Sequence, residues 1–82
     1  MPTMDTHNGY RPLSDLKTGE TGRIKTLHSN GASRRRMLDL GLARDTDIKA
    51  TMVSPCGDPV AYQLRGTVLA LRRSDAELIE IY

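Results

Sequence analysis

The 82-residue sequence contains no tryptophan and no phenylalanine, and its three tyrosines are far apart. A hydrophobic core in this chain must therefore be aliphatic, built on Leu, Ile, Val, Ala and Met. The single cysteine, Cys56, excludes an internal disulfide. No apolar stretch approaches the roughly 20 residues that span a bilayer, and the first residues lack the basic start and apolar run of a signal peptide. We therefore expect a cytoplasmic protein with no direct membrane insertion.

The sequence also lacks a large excess of either charge, because 12 Lys and Arg are interspersed with 10 Asp and Glu to give a net charge of +2. A nucleic-acid binder that makes about 6 to 10 phosphate contacts needs a basic stripe, and single-strand modules also need aromatic platforms. We therefore expect no nucleic-acid partner. A chain of this length buries only about 60% of its unfolded surface, so an enclosed substrate chamber of roughly 300 Å³ is hard to accommodate. The composition argues against an enzyme.

Local patterns predict a flexible N-terminal tail over residues 1–11 and one domain over residues 12–82. The first strand is expected at about residues 22–28. A helix is expected at about residues 32–40, with Asn30 or Ser33 as its cap and Gly41 as its stop. Its apolar arc, formed by Met37, Leu38 and Leu40, must pack on something because so short a helix is marginal alone.

Beyond Gly41 the apolar residues recur with the period of two that is typical of strands. DTDIKATMV and VAYQLRG flank the turn signal SPCGDP, which predicts a hairpin. The side chains expected to face inward are Ile48, Ala50, Met52, Val60, Tyr62, Leu64, Ile79 and Ile81. TVLAL predicts a further strand and RRSDA one helical turn. About five short strands and one short helix predict a mostly β fold, a small closed or nearly closed antiparallel barrel.

Reactive groups are sparse. The soft metal ligands His7, His28 and Cys56 lack the spacing of a CxxC or HxxxH pair, so we expect neither a dedicated metal site nor a cofactor, and a weak or intermolecular site using Cys56 stays open. A thiol nucleophile at Cys56, served by His28, is a distant alternative. The carboxylate pairs Asp45 with Asp47 and Glu77 with Glu80 are interpreted as solvated surface. We identify no catalytic residue.

Three consecutive arginines are the strongest local anomaly. In the first half of a helix they face the positive end of its dipole, at a cost of about 0.3 to 1 kcal/mol each where exposed. Arg34 is expected to lay its aliphatic stem on the core and keep its charge in water. Arg35 either pairs with Asp39 one turn on or, with Arg36, recognises an acidic partner surface. Arg35, Arg36 and Asp39 are therefore the candidate partner-binding residues.

The second hairpin strand presents a further surface. Ala61, Gln63 and Arg65 are expected to face outward, and exposed strands can accept a peptide by edge pairing. Plain core packing is the expected role of the alternate residues on the same strand.

Taken in order, several segments resemble the FeoA-like family. They are RRRMLDLGL, the GDP turn, LRG and LALRRSDA, preceded by Leu13, Leu16, Gly19, Gly22 and Ile24. The resemblance covers residues 12–82 and implies an SH3-like barrel that serves as an accessory to a membrane ferrous iron transporter with a cytoplasmic GTPase domain. It carries no catalytic residue onto this chain, which departs from the family pattern in its long tail and in Cys56.

Our leading hypothesis is thus a non-enzymatic cytoplasmic module that binds the transporter or its GTPase domain and modulates Fe(II) uptake. Polar contacts from Arg35, Arg36 and Asp39 would orient it, and apolar contacts near the helix would supply affinity. One alternative is a metal-linked regulatory or interaction domain associated with an iron-dependent regulator, and a small enzyme using Cys56 is a more distant one. The oligomeric state is left open.

Overall fold

Six antiparallel strands form one sheet. The computed structural model describes residues 10–82, and all structural statements concern these residues. The elements are β1 Arg11–Pro12, a 3-10 helix Leu13–Asp15, β2 Thr21–Leu27, α1 Gly31–Asp39, β3 Asp47–Val53, β4 Val60–Leu64, β5 Thr67–Leu71, α2 Arg73–Ala76 and β6 Ile79–Ile81. The strand order in the sheet is β1-β6-β2-β3-β4-β5. Within residues 10–82, no helix combines the length and the apolar character that crossing a membrane requires.

Strand β2 belongs to both halves of the sheet. Its first residues, from Thr21 to Arg23, pair with β3, whereas Ile24 to Leu27 pair with β6. The register shifts within the β6 half, between Ile24 and Thr26. The core is therefore enclosed between two halves that share one strand.

The hydrogen-bonded ladder does not close. Among the described residues, β1 pairs only with β6 and β5 only with β4, so the six-stranded sheet is open. Of the closed or nearly closed barrel that the sequence predicts, full closure is therefore not observed. Strand β1 is only two residues long and leads directly into the 3-10 helix, against which α2 packs. Two helical turns therefore meet where a closed barrel would have continued its strands.

The core is aliphatic apart from one tyrosine. Tyr62 is 1% exposed and belongs to a core cluster with side chains from β2 to β6, and the inward face predicted for β4 and β6 is confirmed. The buried apolar residues are Leu13, Leu16, Ile24, Leu27, Met37, Leu42, Ile48, Ala50, Val60, Tyr62, Leu64, Leu71, Ala76, Ile79 and Ile81.

Met52 is an exception to the predicted alternation. The strand period places it beside Ile48 and Ala50 in the core, but its side chain is 66% exposed. The β3–β4 register shifts between Ala50 and Met52, so Thr51 is an extra residue that has no partner of its own in the pairing. A bulge of one residue turns the following side chains to the other face. The prediction for Met52 was wrong for this reason.

Helix α1 ends as the sequence predicts. Gly41 has a φ of 94°, a left-handed conformation that a residue with a Cβ adopts only at a cost. Its N–H donates to the Leu38 carbonyl and the Leu42 N–H donates to the Met37 carbonyl, each at 3.0 Å. This pair of bonds is a Schellman motif, which satisfies the last carbonyls of the helix. Asn30 occupies the N-cap position, but its side chain makes no capping hydrogen bond.

The predicted tail falls mostly outside the described residues, which begin at Tyr10. Arg11, its last residue, lies in β1 and pairs with Ile81. The Tyr10 hydroxyl donates to the Glu77 carbonyl at 2.8 Å, and its ring stacks on His28 with centroids 4.2 Å apart. Tyr10 and Arg11, the last two residues of the predicted tail, thus contact the folded domain.

Candidate interaction surface

Helix α1 is held to the sheet by a few contacts from its inner side. Met37 is its one buried residue, at 3% exposure, and accepts a hydrogen bond from the Ser29 hydroxyl at 3.3 Å. The Arg34 guanidinium donates to the Leu27 carbonyl at 3.1 Å. Arg34 is exposed, as expected of a side chain that keeps its charge in water, and one of its nitrogens also connects the helix to the end of β2. The rest of the helix faces solvent.

The three candidate residues lie together on this free face. Arg35, Arg36 and Asp39 are all exposed, and Arg35 and Asp39 are one helical turn apart. Over residues 10–82 the ion pairs do not include one between Arg35 and Asp39, so that alternative is not realised. The charges of the trio are consequently free to meet a charged group from outside the molecule.

Apolar side chains flank the trio. Apolar contacts near the helix were expected from the sequence, but the exposure of Leu38 and Leu40 was not. Leu38 is 44% exposed and Leu40 is 40% exposed, although the helical pattern places both beside Met37 in a packed arc. A helix of nine residues that begins at Gly31 and ends before Gly41 meets the sheet along one short line, so only Met37 reaches the core. The close spacing of Gly31 and Gly41 in the sequence was the available sign that the helix is too short to bury all of its apolar residues.

A shallow cleft joins α1 to the far end of the sheet. It is lined by residues of α1 and its C-cap, of β5 and of α2, namely Ser33, Arg36, Met37, Leu40, Leu71 and Asp75. Arg36 therefore stands beside the last residue of β5. The candidate surface extends from the helix to a sheet edge that the sequence did not connect with it.

On its other side α1 borders a basic groove that sequence reasoning missed. The groove is lined by Lys25, Thr26, Leu27, Arg34, Leu38 and Arg44. The nearby Tyr82, with a smaller contribution from Asp45, raises the pKa of Arg44 above its usual value. Lys25 and Arg44 are distant from the arginine triplet in the sequence, so only the folded chain groups these cations around Leu38.

Glu80 is not the solvated carboxylate that the sequence suggested. Its Oε1 lies 2.8 Å from His28 Nε2, and its Oε2 lies 3.4 Å from Lys25 Nζ. These contacts, with the His28 hydrogen bond as the largest, lower the pKa of Glu80 despite the opposing effect of partial burial. The cluster joins β2 to β6. Tyr10, the residue before β1, stacks on His28 and so also belongs to the cluster.

The candidate soft ligands do not converge. Cys56 is exposed in the β3–β4 turn, where its Sγ donates to the Asp58 carbonyl at 3.1 Å, and His28 is engaged with Glu80 instead. From Tyr10 onward, no group of three or more His, Cys, Asp or Glu side chains is placed to hold a metal ion. The third candidate, His7, lies outside the described residues.

A family model described as the FeoA domain matches residues 11–82. The chain belongs to the FeoA family. The FeoA resemblance expected from the sequence is thus confirmed. A curated relative is the Fe(2+) transport protein A/Fe(2+) transporter FeoB fusion protein of Porphyromonas gingivalis, 35% identical over 69 residues. The aligned part is 84% of this chain but only 8% of that relative, so the chain corresponds to a small portion of the fusion.

Solved FeoA structures share the fold. The solution structure of FeoA from Chlorobium tepidum is 36% identical with a TM-score of 0.82, and the match covers 88% of this chain and 69% of that one. FeoA from Stenotrophomonas maltophilia, solved in complex with zinc and described as a prokaryotic SH3 domain protein, is 28% identical with a TM-score of 0.74 and coverage of 88% and 89%. The predicted mostly β, SH3-like class is confirmed.

Proposed function

We propose that this FeoA-family protein is a non-enzymatic cytoplasmic accessory of ferrous iron uptake, which docks on a FeoB-type transporter or its GTPase domain and modulates Fe(II) transport. The observation that supports it is the Porphyromonas gingivalis relative, in which a FeoA segment and a FeoB transporter are one fusion protein. A covalent link holds two modules at an effective concentration of about a millimolar for a short flexible linker. Unlinked modules depend on surface contacts for the same association.

The outer face of α1 has the composition of such a contact. Arg35, Arg36 and Asp39 offer charges of both signs, and Leu38 and Leu40 offer exposed apolar area beside them. Protein interfaces combine an apolar centre, which supplies affinity, with a polar rim that sets orientation and association rate. We assign the leucines to the first role and the charged trio to the second.

Binding of the full chain to the purified cytoplasmic region of the FeoB transporter from the same organism tests this assignment. Arg35→Glu and Arg36→Glu each reverse one charge and should weaken binding about five- to tenfold, which is about 1 to 1.4 kcal/mol. Lys17→Glu is the matched control, because Lys17 is also exposed and its ammonium group is in no ion pair from Tyr10 onward. If both arginine variants bind as tightly as wild type and Lys17→Glu, α1 is not part of the interface.

Transport itself provides the second measurement. Fe(II) uptake by proteoliposomes that contain the transporter should change when the wild-type protein is added, and should change less with Arg36→Glu. A wild-type protein that neither binds the cytoplasmic region nor alters uptake would refute the proposed function.

A further inference from the structure

Strand β5 forms one edge of the sheet, and its pairing reveals which backbone groups point outward. Arg65 and Gly66 connect β4 to β5 with φ values of 52° and 77°. Two left-handed residues make a two-residue hairpin turn, in which the flanking Leu64 and Thr67 form a hydrogen-bonded pair. Hydrogen-bonded and non-hydrogen-bonded pairs alternate along an antiparallel ladder. The N–H and C=O groups of Val68 and Ala70 are therefore directed away from β4.

This edge carries none of the usual protection. Thr67–Leu71 contains no charged residue and no proline, and its register with β4 is free of bulges. Val68 is 61% exposed, and no backbone hydrogen bond outside the ladder involves Val68 or Ala70 within residues 10–82. Proteins normally blunt such an edge with charges, proline or a bulge, because unpaired backbone groups accept another strand.

An apolar strip on the outer sheet face leads to the same edge. Met52 pairs with Ala61, and Ala61 pairs with Ala70, so the three side chains lie in a row across β3, β4 and β5. The bulge at Thr51 is what places Met52 in this row. A strand added to β5 would extend the row by one apolar position.

Cations flank the edge at both ends and favour a partner segment that carries negative charge. Arg65 precedes Thr67–Leu71, and Arg72 and Arg73 follow it, all three being exposed. Asp58 accepts a hydrogen bond from the Arg73 backbone N–H and does not pair with its guanidinium. A second copy paired antiparallel about Leu69 would bring Arg65 of one copy near Arg72 and Arg73 of the other, and these like charges repel. An extended segment with carboxylates at both ends would meet opposite charges instead.

We propose that the β5 edge is a strand-addition site for an extended partner segment in which a few β-branched or apolar residues are flanked by carboxylates. This deepens the proposed function and rests on it, because the segment would belong to the same partner. The shallow cleft lined by Leu71, Arg36 and Leu40 places the last residue of β5 beside α1. Backbone pairing supplies affinity in this mode of recognition, and the alternate side chains supply specificity.

The test uses the full chain, the probe peptide EETVTVTEE and amide hydrogen exchange followed by NMR. Bound peptide should slow exchange at Val68 and Ala70 and leave Leu69, which bonds to β4, unchanged. Val68→Pro removes an outward N–H, which an edge strand tolerates, and should weaken peptide binding about tenfold or more. Val68→Thr keeps the N–H and the β-branched shape and is the matched control. Arg72→Glu should weaken binding as well, and it tests the site should Val68→Pro fail to fold.

The same variants separate this inference from the proposed function. If the transporter's cytoplasmic region binds wild type and Val68→Pro alike, the edge proposal is overturned while the function stands. If the peptide protects Val68 and Ala70 but the wild type does not bind the transporter, the edge site stands and the function fails. A peptide that protects neither amide overturns the edge site. So does a dimer in sedimentation velocity that Val68→Pro dissociates, because the occupant is then a second copy.

Discussion

Replacing Thr46 by valine should make this protein more stable. Thr46 is 5% exposed, and its hydroxyl is the buried side-chain group without a hydrogen-bond partner among residues 10–82. Its backbone is well engaged, since its carbonyl accepts from the Ile24 N–H at 2.9 Å and its N–H donates to the Ala43 carbonyl at 3.3 Å. Valine keeps the β-branched shape and those backbone bonds while it removes the unpaired oxygen.

The magnitude follows from the cost of burying an unpaired polar group, about 1 to 3 kcal/mol. Imperfect packing of the new methyl group offsets part of this gain. We therefore expect a net increase of about 1 kcal/mol in the free energy of unfolding. For a domain of this size, that gain raises Tm by about 4 to 8 °C. Thr46→Ser retains the hydroxyl but loses a buried methyl, and should lower stability by about 1 kcal/mol.

Chemical and thermal unfolding followed by circular dichroism measure both variants. The expected order is valine, then threonine, then serine. A valine variant that is as stable as wild type, or less stable, would show that the Thr46 hydroxyl is satisfied in solution and would refute the reasoning.

Two further predictions concern the helix stop and the Glu80 cluster. Gly41→Ala forces a Cβ into a backbone with φ of 94° and places it 3.6 Å from Leu64 Cδ1, so it should cost about 1 to 2 kcal/mol of stability, and Gly41→Asn less, measured by urea unfolding. Equal stability of both variants with wild type would contradict the Schellman assignment. Because the folded protein lowers the pKa of Glu80, its stabilisation is present above the usual value of 4.5 and is lost as the pH falls through that value and below it. The stability difference between wild type and Glu80→Gln should therefore shrink on acidification, and a difference that is constant with pH would exclude the cluster as its source.

Helices and strands could be predicted from the sequence where the period of the apolar side chains agrees with the positions of turn-forming residues. Val60, Tyr62 and Leu64 alternate on β4, and all three are buried as predicted. The stop at Gly41 was equally readable, because a left-handed C-terminal residue is a local requirement. The family resemblance was also readable, since it depends on the order of short motifs along the chain.

The candidate surface was only partly accessible. Arg35, Arg36 and Asp39 are correctly placed on one exposed face of α1, but their role in binding a partner stays a prediction. Leu38 and Leu40 were assigned to a packed arc because a helical pattern cannot show how much of a short helix touches the sheet. The exposed fractions of their side chains depend on where β2 and β5 lie.

Periodicity, turn residues and motif order are properties of neighbours along the chain, and they set the strands, the helix stop and the family of this protein. Closure of the ladder, the bulge at Thr51 and the free edge of β5 depend on pairings between residues that are distant in sequence. A one-residue shift in register leaves the composition and the local pattern untouched while it moves Met52 from the core to the surface. Such pairings are settled by the packing of the whole sheet, so they became visible only in the folded chain.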